Sequence, residues 1–346
     1  MPQPIRIGII GAGGIVKHRH LPGFRKIDGV EIVAVCNRSE ESTNRFADEN
    51  NIPHRFSDWR DLVHSPEVDA VVVGTWPYMH RDCSIETLKA GKPVFCQARM
   101  ARNLEEAREM LAAQKESGQV AMLCPPPIGL KWDRVIKRLL AEKTIGKVLT
   151  IRVSMMGGDY LDHEAPIHWR QIREYSGNNV LTLGIMAEVI HRWFGKHKSA
   201  MAYAQTHVTA RMDPATGEER EVDIPDAVWV NGEMESGALI QYSFSGLAHL
   251  APKNCVEIYG CHGTIVYDFV EEKILTAQLG ESSLKEMAPS DDQSKVWEVE
   301  LDFIRAVRGE AQPEPSFEDG VDYMEWVDAV TKSYRMGAKV TLPLGG

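Results

Sequence analysis

The sequence predicts an α/β protein in two parts. A doubly wound parallel sheet comes first, and an α+β domain with a largely antiparallel open sheet follows. Three observations carry this. From residue 5 to residue 123, short apolar runs alternate with helix-length segments. Parallel neighbours need crossover helices, so this alternation marks a sheet covered on both faces. Next, Pro125-Pro126-Pro127 interrupts the chain where neither a helix nor a central strand can continue. Beyond it, strand-like runs lie close together across short turns such as Ser236-Gly237 and His262-Gly263, the pattern of antiparallel neighbours. The expected domains are therefore 1–124 and 125–346.

The elements follow in order. Ile5 to Ile10 is an apolar run, then come Gly11-Ala12-Gly13-Gly14, a helix-length stretch and a second apolar run ending at Cys36: one β-α-β unit. A helix is expected over residues 40–50, a short strand at 54–56 and a helix at 58–64. A buried strand at 68–74 leads to a helix at 78–90, stopped by Gly91. Residues 93–96 make a strand. Asn103 caps a helix that runs to Ser117 and is closed by Gly118, and 119–123 is the last strand of this part. After the prolines come a helix near 132–142, a strand near 148–155, a loop rich in His, Asp and aromatic residues to Ser176, and a helix over 180–194. Strands are expected at 200–210, 227–234, 238–244, 255–259 and 264–267. Helices at 296–308 and 317–336 and a short strand at 340–342 finish the chain. One broad sheet face is left with few covering helices, so a homo-oligomer, dimer or tetramer, is expected through the C-terminal sheet.

Composition narrows the function. The 346 residues suffice for two domains, and 43% hydrophobic with 25% charged content describes an ordinary globular core. A net charge of -10 argues against a general nucleic-acid binder, which needs a basic face for phosphates. No apolar run is long enough to span a bilayer, and no basic segment followed by an apolar stretch opens the chain, so a cytoplasmic protein is expected. The six cysteines show no CxxC spacing and read as thiols in a reducing compartment.

A glycine turn between a buried strand and a helix is a seat for a dinucleotide pyrophosphate, because the helix start supplies N–H groups and positive dipole. Gly11 and Gly13 fit the first two positions of G-x-G-x-x-G, while Val16 occupies the third. Gly14 and Ile15 continue the cradle. At the end of the second strand an acidic residue normally accepts the adenosine ribose hydroxyls. Here Asn37, Arg38 and Ser39 stand there, a neutral amide, a guanidinium and a hydroxyl that suit a 2′-phosphate. This predicts NADP, with NAD as the alternative.

Several segments together resemble the glucose–fructose oxidoreductase / inositol dehydrogenase (Gfo/Idh/MocA) family over nearly the whole chain. They are Gly11-Ala12-Gly13-Gly14 with His20-Leu21-Pro22, Val68 to Val73, Thr75-Trp76-Pro77-Tyr78-Met79-His80, Ala90 to Cys96, Trp169-Arg170, Glu257 to Gly263 and Ser316 to Gly320. The resemblance implies a Rossmann domain that binds a nicotinamide dinucleotide, with contacts from Thr75, Trp76, Pro77, His80, Gln97, Arg99, Trp169 and Arg170. It also implies a sugar or polyol held against the second domain near Asn178, Asn179, Thr182 and Met186. The family handles the alcohol proton with a lysine in a Glu-Lys-Pro tripeptide, aided by an aspartate and a histidine. This chain reads Gln97-Ala98-Arg99, with Thr182 and Met186 at the other two positions. All three usual proton carriers are replaced.

The loop Asp159 to Arg170 offers substitutes: Tyr160, His163 and His168, with Arg99 or Arg170 as the charge that would favour a phenolate. Glu188 and His191 share a helix face, and a metal site would need Asp162, His163 and His168 to join them, but no zinc-type spacing is present and no metal is assigned. Three functions remain open at this stage: an oxidoreductase with a non-standard acid/base, a cofactor-binding sensor without turnover, and a lyase or hydrolase that oxidises its substrate transiently.

Overall fold

The computed structural model describes residues 3–251 and 254–345. The chain divides into two compact units, Met1–Pro125 with Glu298–Val321, and Pro126–Trp297 with Asp322–Gly346.

The first unit holds six strands: β1 (Ile5–Ile10), β2 (Val30–Cys36), β3 (His54–Arg55), β4 (Ala70–Val73), β5 (Val94–Cys96) and β6 (Ala121–Leu123). All pair in parallel in the order β3-β2-β1-β4-β5-β6. The strand order reverses between β1 and β4, so a crevice opens at their carboxyl ends, where such sheets bind ligands. The central strands are apolar throughout because helices cover both faces; every residue of β4 and β5 is fully buried. Helix ends follow local chemistry. Asn103 Oδ1 accepts the Glu106 N–H at 2.9 Å to start Leu104–Ser117, and Gly118 at φ +65° closes it.

The expected continuous second domain is corrected in one respect: residues 298–321 fold with the first unit. The cause is aromatic packing. Phe303, on helix Val299–Val307, meets Phe24 and Phe95 at ring distances of 6.4 and 5.5 Å. The Leu123 N–H donates to Pro315 O at 2.9 Å, and Met122 bridges to Ser316.

The second unit is built on a nine-stranded sheet. Its spatial order is Lys285–Met287, Lys273–Gln278, Gly263–Asp268, Cys255–Gly260, Val148–Met156, Leu239–Ser245, Ala227–Met234, His197–Gln205 and Val340–Thr341. Val148–Met156 and Leu239–Ser245 pair in parallel; the other neighbours are antiparallel. Alternation sets the inner face: Ile151, Val153, Val230, Tyr242, Phe244, Val256 and Ile258 are buried. His197 stacks on Trp326 of helix Phe317–Met336 at 3.6 Å. Tyr203 and Trp229, paired across two strands, are exposed, as is Leu239. The edge strand Lys285–Met287, its neighbour Lys273–Gln278 and a small hairpin, Ala210–Met212 with Glu219–Glu221, are not expected from the sequence. In Lys285–Met287 and Glu219–Glu221 charged residues hide the apolar alternation that identifies a strand.

Candidate functional site

The glycine turn is shaped by what surrounds each glycine. Gly11 has φ +82°, and a Cβ there would lie 2.5 Å from Thr75 Cγ2 and 2.9 Å from the Thr75 nitrogen. Its N–H donates to Cys36 O at 2.8 Å. Gly13 and Gly14 differ: a Cβ on either would meet nothing within 4 Å, so their backbone faces open space. Ile15 is exposed beside them. The helix begins as a π-helical turn, Val16–His20, and continues as Leu21–Phe24. The third fingerprint glycine exists to let helix and sheet approach. Here the approach is made from the other side, since a Cβ on Gly74 would lie 2.5 Å from Val16 Cγ2. Thr75 Oγ1 is buried beside the turn with no hydrogen-bond partner among the described residues. A phosphate oxygen would satisfy it, and the open glycine backbone fits a dinucleotide pyrophosphate.

Asn37 corrects an expectation. Its Oδ1 accepts the Ala12 N–H at 2.6 Å, its Nδ2 donates to Ser42 O at 3.1 Å, and its N–H donates to Thr43 Oγ1 at 2.9 Å. The amide ties the glycine turn to helix Glu40–Asn50, so its oxygen is already engaged by backbone. Arg38 and Ser39 are exposed, and Ser39 Oγ caps that helix. A pocket of about 230 Å³ opens beside the turn, bounded by Gly13, Gly14, Lys17, Ser42 and Arg45. Lys17 pairs with Glu49 at 2.8 Å.

At the ends of β4 and β5 two more of the expected contacts lie buried in the fold. His80 is fully buried, with Nε2 3.0 Å from Thr75 O and Nδ1 2.9 Å from Arg99 O. Burial lowers its pKa, against the pull of these carbonyls and that of Met100. It braces the Thr75 turn against residues 99–100. Arg99 is buried too, so its guanidinium is not a surface charge. Trp76 is half-buried, and Pro77 is the first residue of helix Pro77–Lys89. The Gln97 N–H donates to Val73 O at 3.0 Å. Ala98 is half-buried, and the Ala98–Arg99 peptide is cis.

In the second unit the polar loop is held rigidly. Buried Arg211 donates to three of its carbonyls: Tyr160 O at 2.7 Å, Asp162 O at 2.6 Å and Ala165 O at 3.0 Å. The Tyr160 N–H donates to Gly246 O at 2.9 Å, and the Ile167 N–H to Met212 O at 2.8 Å. Ile167 packs with Ile172 and Val222. Nothing in the sequence marks Arg211 for this role. Replacing it with Met removes a charged donor from three carbonyls and is expected to destabilise the second unit by about 2–4 kcal/mol. Backbone amide exchange between residues 159 and 167 should accelerate; unchanged exchange there would refute the pinning.

The three candidate proton carriers now separate. His168 Nδ1 accepts the Arg170 N–H at 3.3 Å, while its own N–H donates to Gln171 Oε1 at 3.0 Å. It caps the turn Trp169–Gln171. His163 lies exposed on the loop. Tyr160 is half-buried and electrostatically coupled to Arg170. Arg170 is exposed, and its guanidinium lies 4.4 Å over the Trp169 ring.

Of the expected substrate contacts, Thr182 remains accessible just ahead of helix Leu183–Phe194. Met186 and Asn179 are fully buried and line no open surface. Asn179 Nδ2 donates to Ser176 O at 2.7 Å. Asn178 is bound on both sides, donating to Asp328 Oδ1 at 2.8 Å and accepting from Arg173 at 3.0 Å. Glu188 pairs with Arg192 at 2.8 Å, and His191 Nε2 meets His197 Nδ1 at 2.7 Å. Among the described residues no group of three or more His, Cys, Asp or Glu is arranged to hold a metal.

No helix among the described residues is long and apolar enough to cross a membrane. Residues 5–124 match the model described as "Oxidoreductase family, NAD-binding Rossmann fold", and residues 137–342 that described as "Oxidoreductase family, C-terminal alpha/beta domain". A 1,5-anhydro-D-fructose reductase of Ensifer adhaerens is 28% identical across 98% of this chain and 99% of its own length. An uncharacterised oxidoreductase of Bacillus subtilis is 33% identical over 78% of this chain and 75% of its own. A levoglucosan dehydrogenase solved with NADH and L-sorbose superposes with a TM-score of 0.87 at 21% identity, covering 99% of this chain and 100% of that one. Both parts of the chain are matched in the expected order, and it belongs to the Gfo/Idh/MocA oxidoreductases, with their NAD-binding Rossmann unit and C-terminal α/β domain.

Proposed function

We propose that the protein transfers hydride between a nicotinamide dinucleotide, NADP in preference to NAD, and a secondary alcohol of a sugar or polyol, with Tyr160 carrying the alcohol proton. The single observation behind the proton carrier is the pinned loop, in which Arg211 holds the Tyr160 carbonyl and His168 is engaged as a cap, with Arg170 as a cation on the same loop. A nearby cation favours the phenolate and so makes a phenol a usable base. The dinucleotide supplies the hydride acceptor or donor. The first unit's own groups bind and orient it: the backbone of Gly11, Gly13, Gly14 and Ile15 with Thr75 Oγ1 at the pyrophosphate, and Trp76, Pro77 and Gln97 beyond the turn. Thr182 is the polar group offered to substrate. The names of the relatives support the substrate class, since anhydrofructose and levoglucosan are both sugar derivatives.

The NADP preference rests on the absence of an acidic acceptor. Asn37 Oδ1 is engaged by the Ala12 N–H, while Arg38, Ser39 and Arg45 surround the position with donors and positive charge. Native protein is expected to bind NADPH at least tenfold tighter than NADH. Asn37→Asp should reverse that preference, because it brings negative charge beside the 2′-phosphate and turns a carboxylate oxygen toward the Ser42 carbonyl. Titrating both cofactors by fluorescence checks this; tighter NADH binding by the native protein overturns it.

A second reading, a cofactor-binding sensor or an enzyme that oxidises its substrate only transiently, is favoured by Ala98, Thr182 and Met186 at the usual proton-carrying positions. Product without net NADPH, or bound cofactor without product, would support it. The exposed face bearing Tyr203, Trp229 and Leu239 supports assembly as a homo-oligomer through the second sheet. The thiols support a reducing, cytoplasmic setting: Cys36, Cys83, Cys96 and Cys124 are free and buried, and burial pushes the Cys36 thiol up to about 11.

A further inference from the structure

One buried polar chain in the first unit reaches the cofactor cradle only through its last member, Gln97. His20 ends the π-helical turn Val16–His20 and is fully buried; Glu300, on helix Val299–Val307, is 2% exposed. His20 Nδ1 lies 2.5 Å from Glu300 Oε1. The other ring nitrogen, Nε2, meets Nε2 of Gln97, which is 8% exposed at the end of β5. The surroundings are aromatic. Phe95 stands edge-on to His20 at 5.2 Å, with Phe24 and Phe303 packed against Phe95. A carboxylate among aromatic rings is costly unless donors face it. The fold also clears room for it: a Cβ on Gly23 would lie 2.5 Å from Glu300 Oε2.

The hydrogen-bond roles follow from the chemistry of the three groups. A carboxylate only accepts, so Glu300 takes the ring proton on Nδ1, His20 Nε2 is left as an acceptor, and the Gln97 NH2 is the group that faces it. Glu300 thus selects the His20 tautomer, and His20 selects the rotation of the Gln97 amide. The direction of the Gln97 carbonyl oxygen is then fixed by a carboxylate two groups away. This is the arrangement by which carboxylates orient histidines in metal and catalytic sites, applied to an amide.

We propose that Glu300 and His20 are positioning residues that act through Gln97 on the bound dinucleotide. The proposal rests on the reading of Gln97 as a dinucleotide contact. It also accounts for the return of residues 298–321 to the first unit, since that segment delivers the carboxylate.

The test is a double-mutant cycle on the full chain, read by NADPH titration. Gln97→Ala should weaken binding about tenfold. Glu300→Gln and Gly23→Ala should each weaken it about five- to tenfold in the native background and add nothing in the Gln97→Ala background. Additive losses would overturn the relay while leaving Gln97 as a contact. A Gln97→Ala variant that binds NADPH like the native protein removes the underlying contact, and the relay with it. Should Glu300→Gln fold poorly, nitrogen-15 histidine NMR on the native protein decides instead. The signal lost in His20→Gln should report a proton on Nδ1, and a proton on Nε2 would overturn the proposal.

Discussion

Gly11→Ala is expected to abolish measurable dinucleotide binding and to destabilise the first unit by about 2–4 kcal/mol. Two costs combine. A residue at φ +82° is unstrained only as glycine, and the left-handed conformation costs alanine about 1 kcal/mol. The new Cβ would also sit 2.5 Å from Thr75 Cγ2, 2.9 Å from Thr75 N and 3.0 Å from Thr75 Cα. Two of those atoms are backbone, and the Thr75 carbonyl is held by His80. The turn or the end of β4 must therefore move, and the cradle moves with it. Gly13→Ala separates the two costs. Nothing lies within 4 Å of its Cβ, so the fold should tolerate it, with thermal unfolding little changed. The methyl group would nevertheless occupy the space assigned to pyrophosphate, and NADPH affinity should fall by more than tenfold. Thermal melts and cofactor titrations on the two variants decide the matter: Gly13→Ala with native affinity would place the phosphate elsewhere.

The contrast between these glycines shows how far the sequence alone reaches. Apolar runs and helix caps are local signals, so the parallel sheet and the bounds at Asn103 and Gly118 were legible before any coordinates. Which unit a helix joins is a long-range property. The periodicity of Val299–Val307 announces an apolar face but not that Phe303 would meet Phe24 and Phe95. The same limit applies within the site. Asn37 and His168 carry suitable donors and acceptors and His80 lies in a family-like segment, yet each bonds backbone groups. Residue type states what a side chain can bond, and only packing states what it faces. The glycine fingerprint looked incomplete because its third residue is Val16. The missing close approach is supplied by Gly74, on an element more than fifty positions away. Glu300 and Arg211 carried no signal, because a buried charge is recognised by its neighbours and not by its own spacing.

Tyr160→Phe is expected to lower the turnover rate by about 10²–10⁴-fold, the span usual for losing a general acid or base, with NADPH affinity unchanged. The substitution keeps the ring, so the close packing of Tyr160 Cδ2 against Gly246 survives, as does the Tyr160 N–H bond to Gly246 O. Arg211 still holds the Tyr160 carbonyl. Stability should therefore stay within about 1 kcal/mol of native, and a rate loss cannot be attributed to a loosened loop. Arg170→Gln tests the electrostatic half of the argument. Without the guanidinium the phenol releases its proton less readily, so the base limb of the rate of sugar oxidation should move to higher pH. His163→Ala should leave the rate alone, and His168→Ala should cost about 1 kcal/mol of stability through the lost cap. The assay follows NADPH formation with L-sorbose, levoglucosan and myo-inositol as probes. Native turnover in Tyr160→Phe would remove the phenol from the chemistry, and a rate loss in His163→Ala would move the proton transfer to the exposed end of the same loop.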